Sequence, residues 1–167
     1  MLRSADQLEG MTFVKKTRRN GLCAVVLSFF VLASVAGVQA QQLSPKLQDA
    51  VGHWQVIDND KPNGHVDTYL VGGMLFGRVT EVRPGRTPKD VCDKCSGDLK
   101  NQLILGMVIM RNFKPDGDIW AGGTVVDPEN GKEYKGKIWT LGKDKLSMRG
   151  YIGISLLGRT QTWVRIP

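Results

Sequence analysis

The chain has 167 residues, of which 41% are hydrophobic and 23% are charged, and its formal net charge is +7. This length predicts a single domain, and the hydrophobic content argues against disorder throughout the chain. The 20 glycines follow no fixed period, which excludes a collagen-like protein.

The first forty residues have the pattern of a secretory signal peptide. Four basic side chains within residues 15–19 precede the nearly uncharged apolar run Leu22–Val38, and Val38-Gln39-Ala40 then places small residues at a cleavage site. A membrane anchor is the alternative, but the run is near the minimum spanning length and no basic cluster follows it. We expect residues 1–40 to be removed, with Met11 as an alternative start, which leaves no stable membrane span.

The mature chain is only mildly basic. Residues 41–167 contain 18 lysines and arginines against 14 acidic residues, a net charge of +4 that is scattered along the sequence. Nucleic-acid binding usually requires a basic stripe. We therefore expect no nucleic-acid partner.

The mature chain consists of short apolar runs that are separated by turn signals, among them Asn63-Gly64 and Gly72-Gly73. Eight runs are candidate strands: Val51–Ile57, Val66–Val71, Met74–Val82, Ile104–Phe113, Ile119–Val126, Lys132–Leu141, Lys145–Ile152 and Gln161–Ile166.

A period of two marks several of these runs as half-buried strands. In the sixth run Ile138 faces the core, while Lys135, Lys137 and Trp139 face solvent. The seventh run repeats the pattern and places Ser147 on its solvent side.

Short connections make sequence neighbours neighbours in space, and closing such a meander removes its exposed edges. We expect an all-β fold, a small antiparallel up-and-down eight-stranded barrel over residues 51–167 with a lead-in at 41–50. A β-sandwich is the alternative. Several strand glycines fit the bends of a small barrel: Gly77, Gly106, Gly122, Gly123, Gly136 and Gly150.

Gly52-His53-Trp54 in the first run and an arginine in the last run resemble the structural signature of the calycins, the group of lipocalins, fatty-acid-binding proteins and avidins. The resemblance implies that the arginine packs across Trp54 at the closed end of a barrel. Arg165 is the matching residue, and Arg159 is the second candidate.

A second resemblance covers the chain from about residue 50 to its end and includes the Cys-x-x-Cys segment. It is carried in order by Phe113–Gly117, Trp120–Gly123, Asp127–Lys132, Arg149–Gly153 and Leu157–Trp163. These segments are similar to the secreted bacterial family called domain of unknown function 2147. The resemblance implies a small exported β-barrel protein of Gram-negative bacteria, without an assigned reaction or catalytic residue.

Cys92 and Cys95 lie in the one long connection between predicted strands. Ser96 stands where a haem attachment needs histidine, and only His53 and His65 could complete a zinc site. A redox pair would sit at a helix start in a βαβ unit. A structural disulfide is favoured, with a redox pair and a metal site as alternatives.

Polar and aromatic side chains flank the last connection, where an arginine could orient a ligand carboxylate or phosphate. The alternative is a set of solvated strand residues. Ile154, Leu156 and Leu157 in the same connection are interpreted as a plug of one barrel end, or else as a lip at a ligand mouth. The ligand-binding candidates are Arg149, Tyr151, Arg159, Gln161 and Trp163.

The sequence contains no recognisable nucleophile motif, and we expect no catalytic residue, no cofactor and no metal. We expect a periplasmic or secreted barrel that binds a small apolar or amphipathic molecule, by analogy with barrels that hold one ligand. The alternatives are an envelope structural or interaction module with a filled barrel and, least favoured, a thiol redox enzyme.

Overall fold

The computed structural model describes residues 43–167, so the predicted signal peptide lies outside the described residues. A short helix α1 (Pro45–Gln48) begins at Ser44, whose side chain accepts a hydrogen bond from the Leu47 N–H. Single 3₁₀ turns lie at Gly97–Leu99 and Ser155–Leu157. The strands are β1 (Gly52–Asp58), β2 (Lys61–Val71), β3 (Met74–Glu81), β4 (Val108–Asp116), β5 (Ile119–Asp127), β6 (Lys132–Thr140), β7 (Lys145–Tyr151) and β8 (Arg159–Arg165).

The eight strands form a closed antiparallel barrel in which each strand pairs with the next in sequence. β8 returns to pair with β1, from Trp54 opposite Arg165 to Ile57 opposite Thr162. The predicted up-and-down barrel is confirmed. The alternative β-sandwich is wrong, because one continuous ladder joins all eight strands.

The hairpins follow the sequence except at the first turn. Gly72-Gly73 forms the predicted two-residue turn, with φ of 57° and 76°. The predicted turn at Asn63-Gly64 is wrong, because Asn59 and Asp60 make that turn at φ of 48° and 60°. Asn and Asp tolerate this left-handed conformation. Gly64 lies instead within β2, next to a register shift in its pairing with β3.

Several strand glycines make room for core side chains, which differs from their predicted role in bends. A Cβ at Gly136 would lie 2.5 Å from Phe113 Cε1, and one at Gly123 would meet the same ring. A Cβ at Gly77 would lie 2.5 Å from the sulfur of Met110. Phe113 and Met110 are fully buried, so these glycines allow large side chains to fill the barrel.

The end of the barrel next to α1 is filled by aromatic side chains. The indole N–H of Trp120 donates to the Leu47 carbonyl at 3.0 Å and so fixes α1 over this end. The Trp54 N–H donates to Thr68 Oγ1 at 3.0 Å, and this buried hydroxyl donates to the Ala50 carbonyl at 2.6 Å. The polar atoms at this closed end are thereby paired, as burial requires.

Arg165 completes the closed end. Its guanidinium lies 4.2 Å from the centre of the Trp54 ring system. It also donates to the carbonyls of Asp49 at 2.6 Å, Val51 at 3.1 Å and Lys143 at 2.6 Å. One side chain therefore connects the last strand with the chain entering β1 and with the β6–β7 turn.

Gly52 provides the space that this arginine occupies. A Cβ at Gly52 would overlap the Nη1 atom of Arg165. The glycine of the Gly-x-Trp pattern is thus explained by the close approach of the arginine. Arg159, the second candidate for this contact, is instead paired with Asp58 at the other end of β1 and β8.

The face assignments of β6 and β7 agree with the alternation, and only the exposure of Ser147 differs from the prediction. Ile138 is fully buried, Lys135 is exposed and Trp139 is partly exposed. Ser147, which was assigned to the solvent side, is only 4% exposed. Its register partner across the strands is Trp139, whose large side chain shares the outer face with it.

We predict that Trp54→Ala lowers the free energy of unfolding by about 3–5 kcal/mol, because it removes a fully buried indole and its contact with Arg165. Trp139→Ala is the matched control and should cost clearly less, because this side chain is partly exposed. Chemical denaturation of both variants measures the difference. Equal losses would contradict the assignment of the two indoles to opposite faces.

Candidate functional site

The barrel end opposite α1 opens into a cavity of about 370 Å³. Residues from the long β3–β4 connection, the β5–β6 turn and the β7–β8 connection surround its mouth. Pockets of about 300–1,000 Å³ are typical of small-molecule sites. The volume and position therefore make this cavity the candidate site.

The inner part of the cavity is apolar. Its walls are inward-facing strand residues, which alternate with outward-facing ones along each strand. Met148 adds an unbranched, adaptable side chain, and Trp163 is only 1% exposed. The buried apolar lining residues include Val56, Val66, Val79, Ile109, Val125, Met148 and Trp163.

The mouth of the cavity contains a cluster of two arginines around one carboxylate. Arg86 forms a bidentate pair with Glu129, with Nε–Oε1 and Nη2–Oε2 distances of 2.7 Å and 3.2 Å. Arg83 Nη2 lies 2.7 Å from Glu129 Oε2. The cluster ties the β3–β4 connection to the β5–β6 turn.

These contacts shift the pKa values of Arg86 and Glu129. The hydrogen bond with Glu129 raises the pKa of Arg86, although burial opposes the shift. Burial alone would raise the pKa of Glu129, but hydrogen bonds from Arg86 and Arg83 outweigh it and hold this pKa below the usual 4.5. Arg86 and Glu129 are therefore both charged at neutral pH.

The disulfide segment supports the same turn. Cys92 and Cys95 are joined by a disulfide with a Cα–Cα distance of 5.3 Å, and they are 0% and 3% exposed. Lys94, between them, donates to the Glu129 carbonyl at 3.0 Å. A Cβ at Gly131 would overlap the Lys94 backbone, so the two segments lie in direct contact. The bond thus holds the backbone against which Glu129 is placed.

Four of the five predicted ligand-binding residues line the cavity or its mouth. The Arg159 guanidinium pairs with Asp58 at the mouth, and the Trp163 indole lies deeper, 3.4 Å from Gln161 Oε1. The four lining residues are Tyr151, Arg159, Gln161 and Trp163.

The fifth candidate, Arg149, does not line the cavity. Its guanidinium donates to the carbonyls of Ser155 at 2.7 Å and Leu156 at 3.0 Å, and to Thr160 Oγ1 at 2.9 Å. Its side chain points outward on β7, because the inward positions belong to Met148 and Gly150. Arg149 therefore supports the β7–β8 connection from outside the cavity.

The favoured interpretation of that connection as a plug is wrong. Ile154, Leu156 and Leu157 are 61%, 84% and 81% exposed, so they fill no part of the barrel interior. Leu157 lies at the rim, where it contributes to the mouth. The connection instead lies at the edge of the cavity mouth, which agrees with the other interpretation of the sequence.

Arg83, Arg86 and Glu129 were not recognised from the sequence. Glu129 stands in a turn rich in Asp, Asn and Gly, where acidic residues are common for local reasons. Its partner Arg86 is 43 residues away. No local pattern marks such a pair.

Within residues 43–167, no helix has the length and apolar character that crossing a bilayer requires.

Comparisons with known proteins agree with this architecture. A family model described as "Uncharacterized protein conserved in bacteria (DUF2147)" matches residues 52–165. The chain belongs to this family. The match includes β1 to β8, the disulfide segment and every described residue of the mouth cluster, so the candidate site lies within the family domain.

The barrel of this chain is also similar to a solved structure, described as protein HP1028 from the human pathogen Helicobacter pylori and a member of the lipocalin family. The similarity covers 70% of this chain and 82% of that one, with 18% sequence identity and a TM-score of 0.62. It supports the calycin-like fold. No curated protein matches the sequence.

We predict that Glu129→Gln lowers the melting temperature of this family member at neutral pH, since it removes a carboxylate that two arginines stabilise. Because the folded-state pKa is depressed, the stabilisation is present above pH 4.5 and is lost as the pH falls through the folded-state pKa. The melting temperatures of the two proteins should therefore converge in acid. Glu133→Gln is the control, because Glu133 is exposed and forms no salt bridge within residues 43–167. A gap for Glu129→Gln that stays constant down to pH 2–3 would contradict the assignment.

Proposed function

We propose that the protein binds a small amphipathic molecule inside the barrel. The observation that carries this proposal is a cavity of about 370 Å³ with buried apolar walls and a mouth lined by charged side chains. An aliphatic or aromatic portion would displace water from Val66, Val79 and Val125, and a polar head group would stay at the mouth. Burial of apolar surface supplies the affinity, and the polar groups fix the orientation.

The mouth suits an acidic head group. Arg83 contacts Glu129 through Nη2, and its side chain is 44% exposed. It therefore retains N–H donors for a ligand carboxylate or phosphate, which a guanidinium binds in a bidentate manner. Arg159, paired with Asp58, is a second arginine of the lining, in β8. Two arginines at the mouth favour an anionic amphiphile over a neutral hydrocarbon.

The two other functions considered for this chain fit less well. An envelope module with a filled barrel predicts side chains throughout the interior, whereas this barrel contains a cavity. A thiol redox enzyme needs an accessible cysteine. Cys92 is fully buried and Cys95 is 3% exposed, which favours a structural role for their bond.

Gly150 offers a direct test of ligand binding. It lines the cavity, and a Cβ there would lie 3.5 Å from the nearest atom, in Tyr134, which is ordinary van der Waals contact. We predict that Gly150→Leu fills the cavity, keeps the fold and weakens binding of a fluorescent fatty-acid analogue at least tenfold. Fluorescence titration measures the affinity, and the melting temperature checks folding.

Thr124→Leu is the matched control, because Thr124 lies on the outer face of β5 between two inward-facing residues. It should bind the probe as the wild type does. Probe binding that is unchanged in Gly150→Leu, or absent from the wild type for a series of fatty acids and lysophospholipids, would count against the proposal.

We further propose that the protein is exported and acts in the periplasm or outside the cell. The basic stretch and apolar run of residues 1–40 support this proposal, as does a disulfide in the barrel domain. Sequencing the N-terminus of protein recovered from cells should give Gln41 as the first residue. Recovery of the intact chain from the cytoplasm would contradict export.

A further inference from the structure

The β7–β8 connection exposes a compact group of aliphatic side chains. Ile152, Ile154, Leu156 and Leu157, which we call the apolar lip, are 61%, 61%, 84% and 81% exposed. Large apolar side chains scattered singly over a surface need no explanation, but four within six residues form a patch. The patch lies at the cavity mouth, where Ile152 and Leu157 contribute to the lining.

Hydrogen bonds within the barrel domain hold the lip in its exposed conformation. Arg149 donates to the Ser155 and Leu156 carbonyls and to Thr160, so one side chain ties the middle of the connection to the beginning of β8. The Leu157 and Gly158 N–H groups bond back to Ile154 and Ser155 within the connection. These bonds fix the lip backbone in a conformation that directs its leucines outward.

The strands beside the lip, β6 to β8, carry the net positive charge of the barrel domain. Residues 132–167 contain eight lysines and arginines against two acidic residues, whereas residues 43–131 contain ten against twelve. On the outer wall, Lys137 is the register partner of Arg149, and Lys135 is the partner of Tyr151, the last residue before the lip. None of these three basic side chains forms a salt bridge with another residue in 43–167. We call Lys135, Lys137 and Arg149 the basic wall.

We propose that the apolar lip and the basic wall dock the mouth of the barrel onto an anionic phospholipid bilayer. Aliphatic side chains beside cations that form no salt bridge within residues 43–167 match the two layers of a membrane surface, hydrocarbon below and anionic head groups above. Exposed aliphatic side chains favour a bilayer over a soluble anionic polymer, because such a polymer offers nothing to bury them. Docking goes beyond the proposed ligand binding, and it does not require an occupied cavity.

The test is co-sedimentation with vesicles of phosphatidylcholine alone and of phosphatidylcholine with 30% phosphatidylglycerol. Residues 41–167 are used, because they contain the complete barrel and exclude the apolar run at residues 22–38. We expect binding to the anionic vesicles that weakens as salt is raised, and much weaker binding to the neutral vesicles.

The lip is tested by Ile154→Ser/Leu156→Ser, because neither residue lines the cavity, and Val71→Ser/Leu141→Ser is the matched control. Val71 and Leu141 are 51% and 53% exposed, and they lie at the closed end of the barrel. We expect the lip variant to lose about tenfold or more in affinity for anionic vesicles, and the control to bind as the wild type does. Lys135→Gln/Lys137→Gln should weaken binding to anionic vesicles and reduce its salt dependence.

Several results would overturn docking. These are equal binding of the wild type and the lip variant, equal binding to neutral and anionic vesicles, or absence of vesicle binding. Self-association in sedimentation velocity that the lip substitutions abolish, without vesicle binding, would assign the lip to a second copy of the chain. Titration of the fatty-acid probe without vesicles separates the two proposals, because the lip variant should keep probe affinity while Gly150→Leu should keep vesicle binding.

Discussion

The fold depends on one guanidinium. Arg165 stands at the end of the last strand, yet it contacts the Trp54 ring and the backbone carbonyls of Asp49, Val51 and Lys143. Hydrogen bonds to a charged group are stronger than neutral ones. The two ends of the barrel domain are therefore joined at the closed end of the barrel, so the same residue joins the last strand to the first and covers that end.

The end of the barrel next to α1 is filled by side chains, whereas the other end contains the cavity. The size of the inward-facing side chains makes this difference. Phe113 occupies the space that glycine leaves at position 136. The register partner of Gly136 is Gly150, where the missing side chain leaves part of the cavity open. Two glycines that face each other across a strand pair thus have opposite consequences, because an aromatic ring enters the space beside Gly136 but not the space beside Gly150. The period-two pattern is the same in both halves, and the volume of the inward residues decides which half can hold a ligand.

The features that the sequence predicted are those set by local patterns. Alternation and two-residue turns marked the eight strands, and the Gly-x-Trp resemblance pointed to Arg165. The first turn was misplaced because Asn59-Asp60 and Asn63-Gly64 are both acceptable turn pairs within one short segment. The Arg86–Glu129 pair was missed because its members come together only after the barrel closes. Arg149 was grouped with the ligand candidates because it is close in sequence to the last connection, although the alternation along β7 puts it on the outer face.

The mouth is held by two separate devices at two neighbouring connections of the barrel. On the β5–β6 side, Glu129 and the disulfide segment tie the turn to the long connection. On the β7–β8 side, Arg149 holds the lip from the outer wall. Neither device uses the buried apolar residues of the cavity wall, so the shape of the mouth does not depend on how that wall is covered. A ligand therefore meets a preorganised opening, which lowers the entropic cost of binding. If the lip rests on a bilayer, the opening faces the lipid, in which amphipathic molecules concentrate. A ligand would then enter from the bilayer, between the lip and the mouth residues Arg83 and Arg159, without crossing bulk water.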